Sequence, residues 1–258
     1  MVRIGIFGAS GRMGKAIMEV IGEVDGAVLS AAIERVDHPD IGKRLDGNVE
    51  ILPSPDGTEE KTDVYVDFTN PEATVEHVEF CVRKKKPIVV GTTGLSESQM
   101  DALKKASESI PLLYAPNMSY GVNVLFEVVR ILTNFLRDYD IEIIEAHHRF
   151  KKDSPSGTAL RLGEIIAQTL GGSLDSLEVY RGRGVIGERK RGCIGFSVVR
   201  GGDIVGEHTV LFAGSGECLE IKHTALSRKA FASGAVKAAL WIKDKPEGFY
   251  SMKDVLGI

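Results

Sequence analysis

The sequence predicts an α/β protein of two domains: a parallel sheet with crossover helices over residues 1–118, completed by residues 227–258, and an α+β domain with a mostly antiparallel sheet over residues 119–226. Three observations carry this. Short apolar runs alternate with helical patterns as far as residue 117, the mark of parallel strands joined by helices. The first run, Ile4 to Phe7, leads straight into Gly8, Gly11 and Gly14, and helical spacing then begins at Met13, Ile17, Val20 and Ile21. Beyond residue 118 the pattern changes to one long helix followed by strands separated by glycine turns.

Each element has a local reason. After the run DVYVDFT, Asn70 is placed to cap a helix, Pro71 suits its first turn and Glu72 favours the positive end of its dipole. That helix ends in Arg83, Lys84, Lys85 and Lys86, read as cations at a helix C-terminus rather than as a phosphate site. The strand PIVV and the turn Gly91-Thr92-Thr93-Gly94 follow, then a capping box with Ser96 and Gln99. PLLY leads into Ala115-Pro116-Asn117-Met118. A helix is expected from Val122 to Leu136, the strand DIEIIEAHHRF next, and a helix from Thr158 to Leu170. Arg200-Gly201-Gly202-Asp203 and Gly214-Ser215-Gly216-Glu217 are hairpin candidates. The last helix, Ser227 to Lys243, needs an apolar surface to cover and is expected to return to the first domain.

Bulk properties narrow the function. The 258 residues suffice for a substantial core. A net charge of −4 asks for neither nucleic acid nor an anionic membrane. No apolar run reaches membrane-spanning length, and the N-terminus enters a core strand without the plan of a signal peptide. Three scattered cysteines, Cys81, Cys193 and Cys218, read as thiols in a reducing compartment, so a cytoplasmic protein is expected.

The glycine turn reads G-x-x-G-x-x-G, a departure from the stricter dinucleotide spacing. Its context supplies what the spacing lacks: a strand before, a helix after, and Glu34 at the end of the second strand, twenty residues past Gly14, where an acid meets the adenosine ribose. Arg35 beside it suits a 2′-phosphate, so the pair predicts tolerance of both NADH and NADPH. Four turns that follow core strands, Gly8–Gly14, Thr69-Asn70, Gly91-Thr92-Thr93-Gly94 and Ala115-Pro116-Asn117, gather at the carboxyl edge of the sheet, where open α/β sheets bind ligands.

The second domain's chemistry concentrates in EAHHRFKKDSPSGTA, residues 145–159. Ser156-Gly157-Thr158 at a helix start offers hydroxyls and N–H groups to a carboxylate or phosphate, and Lys151 adds a charge. His147 and His148 project to opposite faces of a strand and have no spaced partner, so no metal site is expected. An anionic small molecule is the expected ligand. Other NAD(P)-dependent dehydrogenases of amino-acid metabolism and a non-catalytic NAD(P)-sensing regulator are the competing readings. A semialdehyde dehydrogenase needs a nucleophilic cysteine, and none of the three stands at a helix N-terminus.

On GASGRMG, Glu34-Arg35, GTTG, APNMS, EAHHRFKKDSPSGTA, RGGDIVGEHTV and FASGAVKAALW the chain resembles, over almost its whole length, the 4-hydroxy-tetrahydrodipicolinate (dihydrodipicolinate) reductase family of the diaminopimelate–lysine pathway. The resemblance implies a Rossmann-type nucleotide-binding domain, a substrate domain that builds a homotetramer, and NADH or NADPH as cofactor. It implies pyrophosphate contacts from Gly8, Ala9, Ser10, Gly11, Arg12 and Met13, and ribose contacts from Glu34 and Arg35. Gly91, Thr92, Thr93, Ala115, Pro116, Asn117 and Met118 would border the nicotinamide. His147 and Lys151 correspond to proton donors, and His148, Ser156, Gly157 and Thr158 to substrate contacts. Met118 stands where some relatives carry Phe, and the basic stretch 181–191 has no assigned role.

Overall fold

The computed structural model describes residues 1–45 and 49–258. They divide into two compact units, Met1–Tyr120 with Arg228–Ile258, and Gly121–Ser227.

The first unit is a three-layer sandwich. Its strands are β1 (Val2–Phe7), β2 (Ala27–Ile33), β3 (Ile51–Leu52), β4 (Val64–Asp67), β5 (Ile88–Val90), β6 (Pro111–Tyr114) and β12 (Gly248–Tyr250). All pair in parallel, in the order β12-β6-β5-β4-β1-β2-β3. Strand order therefore reverses between β1 and β4, the crevice where doubly wound sheets hold dinucleotides. The period-two alternation of side chains sorts the core. Ile4, Ile6, Val64, Val66 and Val89 pack with helices α1 (Arg12–Glu23) and α7 (Lys229–Ile242). Phe7, Tyr65, Ile88 and Val90 pack on the other face with α2 (Pro71–Lys84) and α3 (Glu97–Ala106).

Local signals read from the sequence hold here. Asn70 caps α2 by accepting from Ala73 N–H at 3.1 Å, and Ser96 with Gln99 forms the capping box of α3. In the basic run, Lys84 pairs with Glu59 and Lys86 donates to the Thr62 carbonyl at 2.9 Å. The final long helix α7 does belong to this unit. Elements of this unit that were not anticipated include β3, β12, and the short helix α8 (Met252–Leu256) that follows β12. β12 is only three residues and gains its place by pairing with the edge of β6.

The second unit contains α4 (Tyr120–Phe135, all but its first residue), β7 (Asp140–His147), α5 (Gly157–Leu170), α6 (Leu174–Leu177), β8 (Glu178–Tyr180), β9 (Ile194–Arg200), β10 (Gly206–Ala213) and β11 (Cys218–Ala225). Its sheet runs β11-β10-β7-β9-β8. The β11/β10 and β10/β7 pairs are antiparallel, and β9 joins β7 and β8 in parallel. One face is covered: Ile141, Ile143, Phe196, Val210 and Phe212 pack with Leu125 and Val129 of α4 and Leu162 and Ile166 of α5.

Gly214 to Glu217 makes a hairpin as expected, closed by Gly214 N–H to the Glu217 carbonyl at 2.9 Å. Arg200 to Asp203 does not. The strands on either side of it, β9 and β10, are separated in the sheet by β7. The glycines of this turn bond instead to the chain leaving β7: Gly201 N–H donates to the His147 carbonyl at 3.0 Å, and Arg149 N–H to the Gly202 carbonyl at 3.1 Å. A glycine-rich turn supplies the reversal but does not choose the pairing partner, and here β7, with its long apolar face, takes the central place.

Candidate active site

In the first unit the predicted residues lie at the carboxyl edge of the parallel sheet. Gly8 takes a φ of +73°, and a Cβ at Gly14 would lie 2.3 Å from the Gly8 carbonyl oxygen, so the strand-to-helix turn closes as tightly as a dinucleotide turn must. The N-terminus of α1 carries no side-chain cap, unlike α2, α3 and α5. Its N–H groups thus have no competitor of that kind for a phosphate. Glu34 reaches back over the turn and accepts from Ser10 N–H at 3.0 Å, which joins the two halves of the fingerprint. Arg35 is exposed and pairs with Asp37 at 3.3 Å.

Further along the edge, Thr92 is buried, as are Ala115 and Met118. Thr92 belongs to a network that the sequence did not reveal. Fully buried Asp67, at the end of β4, accepts from Thr69 N–H at 2.8 Å, from the Thr69 hydroxyl at 2.7 Å, and from the His77 ring at 2.7 Å. The Thr74 hydroxyl donates to Thr92 Oγ1 at 2.7 Å. One carboxylate therefore ties the turn after β4 to α2 and to the turn after β5. Asn117 accepts from Ser119 N–H at 2.9 Å and shapes the turn after β6.

In the second unit three strand registers build a polar cluster on the helix-covered face. Glu145 and His147 are two residues apart on β7 and share that face. Arg200 of β9 lies opposite His147, and His208 of β10 lies opposite Glu145. The Glu145 carboxylate accepts four bonds. Oε2 takes His147 Nδ1 at 2.5 Å and an Arg200 N–H at 2.8 Å; Oε1 takes the other Arg200 nitrogen at 2.8 Å and Ser156 N–H at 3.0 Å. Burial works against its charge, but Arg200, His147 and the Ser156 N–H outweigh that and hold the carboxyl below its ordinary pKa. Burial lowers the His147 pKa. Glu145 pulls it back up, Lys151 and Arg200 push it down, and the net shift is downward.

Ser156 caps α5 by accepting from Ala159 N–H at 3.2 Å, and its hydroxyl lies 3.0 Å from His208 Nε2. Burial drives His208 down to about 3, so it stays neutral. Lys151 pairs with Asp153 at 2.9 Å, and its N–H bonds to the His148 carbonyl at 3.1 Å, which curls the segment back within four residues of His147. His148 Nδ1 is buried without a hydrogen-bond partner among the described residues.

Residues 2–118 match the family model for the N-terminus of dihydrodipicolinate reductase, and residues 121–256 match that for its C-terminus. The chain belongs to the dihydrodipicolinate reductase family. It is 48% identical over 269 residues to the 4-hydroxy-tetrahydrodipicolinate reductase of Hahella chejuensis (strain KCTC 2396), with 100% of both chains covered. Among solved structures it resembles a dipicolinate-bound dihydrodipicolinate reductase from Paenisporosarcina sp. TG-14, with a TM-score of 0.80, 23% identity and 97% of each chain covered. Aspartate semialdehyde dehydrogenase II from Vibrio cholerae shares the fold more distantly, with a TM-score of 0.56, 12% identity, and 95% of this chain and 99% of that one covered.

Membership in the dihydrodipicolinate reductases makes this protein an NAD(P)H-dependent oxidoreductase of the diaminopimelate–lysine pathway, with NADH or NADPH as cofactor. Of the three cysteines, Cys81 is buried with its thiol pKa pushed well up by burial, so it is no thiolate nucleophile. Among the described residues no group of histidine, cysteine and carboxylate side chains could hold a metal.

Three residues of the β7 cluster escaped the sequence reading: Glu145, Arg200 and His208. Glu145 was legible in principle, because an acid two positions before a histidine on one strand faces the same way. Arg200 and His208 were not, since their approach depends on the register of three strands distant in sequence.

Proposed function

We propose that the second unit binds and protonates the substrate, 4-hydroxy-tetrahydrodipicolinate, while the first unit, Met1–Tyr120 with Arg228–Ile258, holds the nicotinamide nucleotide. The observation that carries this reading is the Glu145-His147 pair, with Lys151 turned back beside it. Gly8 to Met13 hold the pyrophosphate at the start of α1, and Glu34 and Arg35 take the ribose. The turns Gly91 to Thr93 and Ala115 to Met118 border the nicotinamide. The bound dihydronicotinamide supplies a hydride to the conjugated C=C–C=N system left after the substrate loses its hydroxyl.

The protein's own groups manage charge and protons. Negative charge that builds toward the ring nitrogen and neighbouring carbon is met by Lys151 and His147, and one of them delivers the proton that completes reduction. The first turn of α5, with Gly157 and Thr158, receives a substrate carboxylate, and His148 adds a polar contact. Ser156 serves the same turn from within, since its N–H and hydroxyl are both engaged inside the protein.

The same reading makes the protein a cytoplasmic homotetramer. No described helix is long and apolar enough to cross a membrane. The face of the second sheet away from α4 and α5 exposes Ile144 and Val199, and β11 leaves an eight-residue edge strand with Leu219 exposed. Pairing with copies of the chain would cover both. The test of function is to mix the protein with freshly made dihydrodipicolinate synthase product and follow oxidation of NADH and NADPH. Rapid oxidation of both is expected. No oxidation of either would overturn the reading.

A further inference from the structure

The Glu145 carboxylate has about four lone-pair directions, and four donors fill them. The bidentate Arg200 contact and the downward-shifted pKa mean that this group is ionised and can only accept. The bond between it and His147 Nδ1 must therefore carry its proton on the histidine nitrogen. His147 Nε2 is left for other work. It points toward Gly206, the residue that starts β10, where a Cβ would come within 3.2 Å of it. At that position β10 presents no side chain, so nothing from Gly206 covers Nε2.

We infer that Glu145 is the positioning residue of this site: its saturated carboxylate locks His147 in the Nδ1–H tautomer and thereby assigns proton exchange with the substrate to Nε2. This rests on the proposed role of His147. Arg200 acts one step further out. It neutralises the buried carboxylate and also donates to the Asp153 carbonyl at 2.8 Å, which ties the segment carrying Lys151 to the same anchor. A buried carboxylate with a bidentate guanidinium partner is a rigid reference point, and a histidine fixed to it loses little freedom when the substrate arrives.

Glu145→Gln provides the test because it keeps the shape and changes the hydrogen-bond logic. Ser156 N–H and Arg200 claim the one remaining oxygen, and the amide NH2 then faces His147. His147 can satisfy that donor only by accepting at Nδ1, so its proton moves to Nε2. Ring 15N chemical shifts at pH 8, with the His147 signal assigned by its loss in His147→Asn, read the tautomer without any substrate. The expected result is Nδ1–H in the unmodified protein and Nε2–H in Glu145→Gln. With substrate and NADH, kcat should fall about 10²–10⁴-fold, as when a histidine is left in the wrong tautomer, while the KM for NADH stays within about twofold. Should the lone change unfold the protein by stranding Arg200, Glu145→Gln with Arg200→Met removes both charges, and the same Nε2–H signal is expected from that pair. Nε2–H in the unmodified protein, or Nδ1–H retained in either folded variant, would overturn the inference. Correct tautomers in a protein that does not oxidise NADH would sink the proposed role of His147 and leave the positioning intact.

Discussion

The Ser156 hydroxyl lies 3.0 Å from His208 Nε2 while it accepts the N–H of Ala159, so the cap of α5 and a buried histidine of β10 depend on each other. The two share this hydrogen bond in the buried interior, where a charged imidazole is disfavoured, so His208 is neutral in the folded protein. Burial lowers its pKa to about 3 in the folded protein, against about 6.5 when unfolded. The sign follows directly. The folded pKa is depressed, so this stability is fully present above about pH 6.5 and is lost as the pH falls toward 3. Between pH 6.5 and 5 the loss from this one group should be about 2 kcal/mol. Urea melts at those two pH values measure it. In His208→Asn the difference should shrink, and an unchanged difference would assign the acid sensitivity elsewhere.

His147→Gln and Lys151→Ala should each lower kcat by about 10²–10⁴-fold, the range for a positioned acid or base. Nucleotide binding, read by quenching of NADH fluorescence, should hardly change, since both residues belong to the unit Gly121–Ser227. A variant that keeps full turnover is not a proton donor.

Arg35→Ala should weaken NADPH and spare NADH. Loss of a charge-assisted contact to the 2′-phosphate is worth about 1.5–3 kcal/mol, and because the Arg35 side chain pairs with exposed Asp37, stability should not suffer. Equal losses for both nucleotides would place Arg35 away from the phosphate.

Gly14→Ala should damage the nucleotide turn itself. The added Cβ would lie 2.3 Å from one backbone oxygen and 2.7 Å from the next, neither of which can swing aside. A cost of about 1–3 kcal/mol or more in stability is expected, together with weaker binding of both nucleotides. Unchanged melting and binding would mean that the turn can relax.

Sedimentation at micromolar concentration should show a tetramer. Replacing Ile144 and Val199 by charged residues should yield smaller species that remain folded, because both side chains are already exposed on the face away from α4 and α5. Full activity from a monomer would refute the assembly.

The sequence by itself determined whatever rests on neighbours along the chain. The glycine turn, the caps at Asn70 and Ser96, the capping of α5 by Ser156 and the hairpin at Gly214 to Glu217 are all set by a few consecutive side chains and by steric limits on φ and ψ. Period-two and helical spacing likewise marked which faces would be buried. The tertiary structure alone decided which strands became neighbours. The turn at Arg200 to Asp203 looked like a hairpin because turn chemistry reports a reversal of direction and says nothing of what lies between the two strands. Once β7 takes the place between β9 and β10, Arg200 comes opposite His147 and His208 comes opposite Glu145. Four residues from three strands, Glu145, His147, Arg200 and His208, then share one carboxylate-centred cluster. Burial, a property of the packed sheet and not of any segment, keeps the two histidines at low pKa, and the hydrogen bonds that the strand registers bring to Glu145, from Arg200 above all, keep its carboxylate ionised against that same burial.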